Sequence, residues 1–233
     1  MVGERDGTIL EMLVREYIRT AEPVGSEKIA RRMKNALSAA TVRNIFADLT
    51  DAGFIEQTHT SGGRVPCQRG YRFFVDMILD DMARAGSISE ALGRAIAQVE
   101  GGYRTMHTFQ SMLARNFHVL SRFGDNAPIG FEEIFREPEF QETSLMREFG
   151  KFLDEFGRVQ DRYSDDLEPD SFDIYIGDEN GIQPMEHVST IVAKDSTGGL
   201  FFITGPTRMQ YDRIIPIMKL WHKEPVKRKN KKT

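Results

Sequence analysis

The 233 residues are 40% hydrophobic and 28% charged with a formal net charge of −4, an ordinary globular composition that leaves room for one large domain or two small ones. The single cysteine, Cys67, excludes an intrachain disulfide and a cysteine-rich zinc site. The charged start "MVGERDGTIL" has no signal-peptide core, and no apolar run approaches the ~18 residues of a membrane helix, so a cytoplasmic protein with no membrane role is expected.

In chain order, "TILEMLVREYIRT" carries Ile9, Leu10, Leu13, Val14, Tyr17 and Ile18 on one stripe and predicts an amphipathic helix. "EPVG" ends it through Pro23. Ser26 is placed to cap a short helix, "EKIARRM", with Ile29, Ala30 and Met33 inward. Ser38 caps a third helix with Val42, Ile45, Phe46 and Leu49 buried and Gly53 as its stop. The first turn of this helix is small (Ala39, Ala40, Thr41), and Arg43 and Asn44 follow on the solvent side. Arg and Asn match guanine and adenine edges in a major groove, though such residues also serve as a plain solvated face.

"GFIEQTHT" alternates as a strand and "GYRFFV" supplies a second, so the glycines of "HTSGGRVPCQRGYRFF" form a hairpin tip. Three helices and a hairpin make a winged helix-turn-helix. Gly62 and Gly63 keep its tip thin and flexible, and Arg64 is the cation offered to a phosphate or minor groove, with Arg69 and Arg72 along the same wing. The alternative is a hairpin with incidental arginines. Charge is segregated accordingly. Ser26–Val75 has eight Lys and Arg against four Asp and Glu, Asp76–Tyr175 has ten against twenty, and the chain after Met218 has seven against one. A locally basic face on an acidic chain suits a polyanion.

"EYIRTAEPVGSEKIA", "SAATVRNIFADLTDAGFIEQTHTSGGRVPCQRGYRFFVD" and, much later, "ITGPTRMQYDRIIPIM" resemble the HrcA family, the heat-inducible transcription repressors of bacteria. The resemblance implies a homodimer that binds an inverted-repeat operator (CIRCE) in double-stranded DNA ahead of chaperone operons, with a GroEL-type chaperonin as a further partner. It places Ser38, Thr41, Arg43 and Asn44 on the reading helix and His59, Ser61 and Arg64 on the wing. Ser26 and Arg69 complete the expected DNA-binding set.

Beyond the wing, "SISE" (Ser87 to Glu90) reads as a capping box for a long connecting helix. Its apolar residues include Leu92, Val99, Met106, Phe109, Leu113 and Leu120, at steps near 3.5 that favour lengthwise packing against another helix. These six are the expected dimer interface, the alternative being a core helix within one protomer. Gly101 and Gly102 predict a break. "SLMREFGKFLDEFGRVQ" reads as one further amphipathic helix. "FDIYI", "VSTIVA" and "LFFIT" read as strands, and Pro206 is suited to the first turn of a last helix. The sheet is expected to carry helices on one face. "FEEIFREPEF" and "TGPTRMQYDRIIPIM" resemble HrcA again, whose C-terminal region is similar to a GAF-type domain. The chain passes from "LSRFGDNAPIG" straight to "FEEIF", so the first strands of that domain and its inserted segment are expected to be missing.

The expected fold is therefore α+β: a winged helix-turn-helix over 1–80, a helical linker and dimerisation segment over 81–128, a small truncated GAF-like domain with an antiparallel sheet over 129–222, and a basic tail over 223–233. "TGPTR" lacks the lysine and spacing of a P-loop and reads as a structural turn. His107, His118, His187 and His222 show no ligand spacing with one another or with Cys67, and no nucleophile–base pair stands out. Neither metal, cofactor nor enzymatic activity is expected. The competing reading is an interaction or sensor module whose winged helix contacts protein; apolar residues on the outer face would favour it, and Arg43, Asn44 and Arg64 argue against it.

Overall fold

A computed structural model describes residues 2–34, 36–58, 62–84, 106–181 and 186–221. The chain divides into two compact units, Met1–Ile78 and Leu79–Thr233.

In the first unit, α1 (Glu4–Thr20) buries Ile9, Leu10, Leu13, Val14 and Ile18. It begins a turn before its apolar stripe, where Glu4 and Asp6 put negative charge at the positive end of the helix dipole. It ends on Ala21 in the left-handed conformation, with the Ala21 N–H donating to Tyr17 O at 2.8 Å. The next helix, α2 (Ser26–Arg32), starts on Ser26 itself; Gly25 occupies the cap position and no side chain caps it, so Ser26 is not the cap expected. In α3 (Ala39–Asp51) the cap is as expected: Ser38 Oγ accepts the Thr41 N–H at 3.0 Å, and Val42, Ile45, Phe46 and Leu49 are buried. Gly53, at φ +72°, turns the chain out of the helix.

The hairpin differs from expectation in its second strand. β1 (Ile55–Gln57) pairs antiparallel with β2 (Arg64–Pro66), Ile55 opposite Pro66 and Gln57 opposite Arg64. "GYRFFV" is not a strand but the first turns of α4 (Gln68–Arg84), which buries Gly70, Tyr71, Phe74, Val75 and Ile78. That spacing, i, i+1, i+4, i+5, i+8, is helical once the window runs past Val75. Nor is Gly63 merely a loose tip residue. Val24 and Arg64 exchange backbone hydrogen bonds of 2.9 Å each way, which clamps the segment after α1 onto the wing. A Cβ on Gly63 would lie 2.5 Å from the Val24 carbonyl carbon, so only glycine permits this approach.

The second unit is built on a four-stranded antiparallel sheet of β3 (Leu120–Phe123), β4 (Ser171–Ile176), β5 (Val188–Lys194) and β6 (Leu200–Pro206), in the order β3-β6-β5-β4. The last three strands match expectation. β3 does not, because its residues continue the apolar spacing of the expected connecting helix. That helix, α5 (Met106–Phe117), stops at His118, whose φ of 53° is left-handed. A single turn, α6 (Phe131–Ile134), follows β3. Register sets the faces. Leu120, Leu200 and Phe202 share a core with α7 (Thr143–Asp154) and α8 (Phe156–Asp166). Phe201, one residue out of phase, meets Phe109 of α5 at 5.7 Å between ring centroids. Helices thus cover both faces rather than one, which is why β5 and β6 are buried at nearly every position. The helix expected from Ser144 onward is two helices, broken at Glu155 with the apolar stripe continuing through Phe149, Phe152, Phe156, Val159 and Tyr163.

Of the residues expected at a dimer interface, Leu113 and Leu120 are instead enclosed in their own protomer, 0% and 3% exposed, and Leu120 lies on β3. Met106 and Phe109 are half-buried on α5. Leu92 and Val99 lie outside the described residues, as do the "SISE" capping box and the Gly101–Gly102 pair.

Two stretches that are distant in sequence meet through one ion-pair cluster. Pro206 closes β6 rather than opening a helix; the last helix, α9, spans Tyr211–Trp221. Between them Arg208 donates to Glu139 Oε2 at 2.9 Å and to Glu137, and Glu137 in turn contacts His118. "TGPTR" is thereby tied to "FREPEF" by a guanidinium that is 11% exposed. Removing a single partner from such a cluster strands the others. Arg208→Met should cost about 3–5 kcal/mol in urea denaturation of the full chain, and adding Glu137→Gln and Glu139→Gln should recover most of that loss.

Candidate nucleic-acid interface

The first unit is organised around a carboxylate. Glu16 on α1 has no solvent exposure and is reached by Arg19 at 2.5 Å, by Lys28 of α2 at 2.8 Å, and by Arg32 of α2. Burial alone would raise its pKa; hydrogen bonds from Lys28 and Arg19 and the charge of Arg32 outweigh this and hold the carboxyl below its ordinary value. α2 is consequently fixed on α1 by charge as well as by Ile29 and Ala30.

With α2 held in this way, a cleft of about 480 Å³ opens between α2, α3 and the wing. Among the described residues its cations are Lys28 and Arg31 of α2, Arg43 of α3 and Arg64 of β2, against one carboxylate, Glu27. Ser26 and Gln57 add polar groups, and Gly62 and Gly63 bring the wing backbone to the rim. Three residues expected at the site, Ser26, Arg43 and Arg64, are therefore brought together. Arg64 is not at a free tip, however. It is half-buried in β2, and its Nε donates to Thr50 of α3 at 3.3 Å.

Ser38 is exposed at the head of α3, and its hydroxyl lies 2.9 Å from that of Thr41. Arg43 and Asn44 are exposed one turn along. Arg31 lines a second hollow with Ser38 and Ala39, so it links the cleft to the start of α3. Arg69 lies apart from the wing: on the first turn of α4 it donates to Ala52 O at 2.6 Å and stacks 4.4 Å over Phe54. Arg72, expected beside it on the wing, is also on α4, 3.8 Å from Asp76. His59 and Ser61 lie outside the described residues. Lys28 and Arg31 were not in the expected set; their signal was the basic density of "EKIARRM" just before the capped helix.

Competing chemistries find little footing. Burial, with the charge of Glu56, pushes the half-buried Cys67 thiol up to about 11, the opposite of what a nucleophilic cysteine needs. Among the described residues no three His, Cys, Asp or Glu side chains are grouped to hold a metal, and no helix is long and apolar enough to cross a membrane.

Residues 76–215 match the family described as HrcA protein C terminal domain. The chain belongs to the HrcA family. It is 39% identical over 122 residues to the heat-inducible transcription repressor HrcA of Syntrophobacter fumaroxidans, a match covering 52% of this chain and 33% of that protein. It is 46% identical over 95 residues to the HrcA of Clostridium perfringens, covering 41% of this chain and 28% of that one. The chain thus spans about a third of the length of these HrcA relatives. With the HrcA of Shouchella clausii it aligns at 27% identity over 98% of both, but across 337 positions, so long stretches of that relative have no counterpart here. A crystal structure described as that of a hypothetical protein shares the fold, with a TM-score of 0.74 at 16% identity over 94% of this chain and 96% of that one. HrcA proteins are transcription repressors rather than enzymes.

The buried carboxylate makes stability depend on pH with a defined sign. Because the Glu16 pKa is lowered on folding, its contribution is complete above the unfolded carboxylate value and is lost as pH falls through the lower folded value. Denaturation of wild type and Glu16→Gln across a pH series should show a gap that is constant above about pH 5 and closes in more acidic solution.

Proposed function

We propose that this chain is a dimeric transcription repressor of heat-shock (chaperone) genes, reading an inverted-repeat operator through α3 and gripping its backbone through the cleft. The observation that carries the reading is the convergence of Lys28, Arg31, Arg43 and Arg64 on one cleft beside a capped helix. Four cations lining one cleft suit phosphates flanking a groove, and the small first turn of α3 admits close approach to base edges. Family membership supports the same assignment.

Roles divide along the chemistry. Arg43 and Asn44, exposed on α3, are the readers, with Ser38 and Thr41 at the helix head. Lys28 and Arg31 position the protein on the phosphates, and Ser26 lies among them. Arg64 braces the wing against Thr50 while adding charge to the cleft wall. His59 and Ser61 are proposed to touch DNA from the wing. A two-fold dimer would place two α3 helices on half-sites about 34–36 Å apart, or a multiple of that. Its interface is assigned to Leu92, Val99, Met106 and Phe109, since Leu113 and Leu120 are used inside the protomer. Domain limits near residues 80 and 222 are proposed, whereas the limit expected at 128 would cut β3 from the sheet it pairs into; a GroEL-type chaperonin is the proposed modulator. Heat induction is assigned to loss of the active fold at raised temperature.

Selection of bound sequences from a random DNA pool, with and without chaperonin, tests the whole reading; enrichment of an inverted repeat is expected. Arg43→Ala should then cost about 1–3 kcal/mol on the selected site and relax base choice. Arg31→Ala should weaken selected and scrambled DNA alike and make log K against log salt shallower by about 0.9 for each phosphate it no longer neutralises. Failure to enrich any sequence, with salt slopes unchanged in both variants, would transfer the cleft to a protein partner.

A further inference from the structure

The second unit contains a cavity that nucleic-acid binding does not use. It measures about 220 Å³ and lies between the sheet and the helices of one face. Leu120 and Arg122 of β3 face it together, being two residues apart, and Phe202 stands opposite Arg122 in the β3–β6 register. Leu153 and Phe156 close the helical side. Phe131, a large hydrophobic residue left 37% exposed, forms its solvent edge.

Arg122 is out of place in such a wall. Its side chain is 21% exposed, its guanidinium lies 4.7 Å over the Phe156 ring, and its Nε is enclosed without a hydrogen-bond partner among the described residues. The carboxylate paired with it, Asp125, is 3.8 Å away and 97% exposed, so water screens it. Buried polar donors are nearly always matched, and an unmatched donor on a cation, set in an apolar cavity, calls for an anion from outside the chain. An apolar cavity of about 150 Å³ holds benzene, so the one here admits a ring or branched alkyl group plus a carboxylate.

We propose that this cavity binds a small monocarboxylate with a compact apolar body, aromatic or branched aliphatic. The carboxylate pairs with the Arg122 guanidinium, whose planar fork suits it, and the body fills the space between Phe131, Leu153 and Phe202. The assignment stands apart from the DNA-binding reading, and its test involves no DNA.

The test is calorimetric titration and thermal shift of the full chain with benzoate, phenylacetate and 4-methylpentanoate, against benzamide and phenylacetamide as uncharged matches. At least one acid should bind saturably and raise the melting temperature, with its amide weaker by about tenfold or more. Arg122→Gln should lose about as much while keeping the wild-type circular dichroism. Phe131→Ala, which truncates an exposed side chain, should weaken the acid too and decides the matter if Arg122→Gln fails to fold. Absence of binding by all three acids, equal binding of acids and amides, or wild-type affinity in Phe131→Ala together with a folded Arg122→Gln would overturn the proposal.

Discussion

A charge withdrawn from water must be given partners, and the first unit is arranged to give three to one carboxylate. Glu16 has no exposure, so its desolvation is offset only if Arg19, Lys28 and Arg32 all reach it. Two of those cations belong to α2, and their requirement fixes where α2 can sit on α1. The position of α2 then determines which of its remaining side chains face α3 and the wing. The basic cleft is in that sense a by-product of a buried acid: Lys28 serves the carboxylate and the cleft wall at once.

The second unit meets the same constraint with the signs exchanged. Arg208 is the enclosed cation, and Glu137 and Glu139 are the answering carboxylates. The stretches that carry these groups, "FEEIFREPEF" and "TGPTRMQYDRIIPIM", are two of those in which the C-terminal half resembles its family. A physical reason for that resemblance is now visible, because neither stretch can change its charge without stranding the other. Although long stretches of the Shouchella clausii HrcA have no counterpart here, the described residues carry this ion-pair cluster, a four-stranded sheet and the aromatic layer of α7 and α8.

Much of this was legible in the sequence where a stripe or a cap spoke for itself. α1 and α3 follow their apolar spacing, and Ser38 caps as its chemistry suggests. The second wing strand was not legible, since "RVP" is three residues long and the longer apolar run behind it imitates a strand until Ile78 completes a helical pattern. β3 was hidden for a related reason: helical spacing runs on through Leu120, and only the left-handed His118 breaks it. Of the site, Arg43 and Ser26 could be named because they stand beside a recognisable helix. Glu16 offered a quieter signal. It falls with Ile9 and Leu13 on the inner stripe of α1, where a lone acid has either to be matched or to be absent. Which cations match it is a matter of tertiary placement that no local pattern encodes.

The lone cysteine gives the molecule a built-in reporter. Cys67 sits between β2 and α4, where its amide donates to Phe54 O at 3.0 Å and its carbonyl accepts from Gly70 and Tyr71. With the thiol pushed up to about 11, thiolate is scarce near neutral pH, and alkylating or disulfide reagents react slowly with the folded corner. Unfolding of this junction restores an ordinary thiol. The rate at which such a reagent consumes the protein therefore rises as the wing–helix corner opens, with no engineered label and no second sulfhydryl to confuse the record.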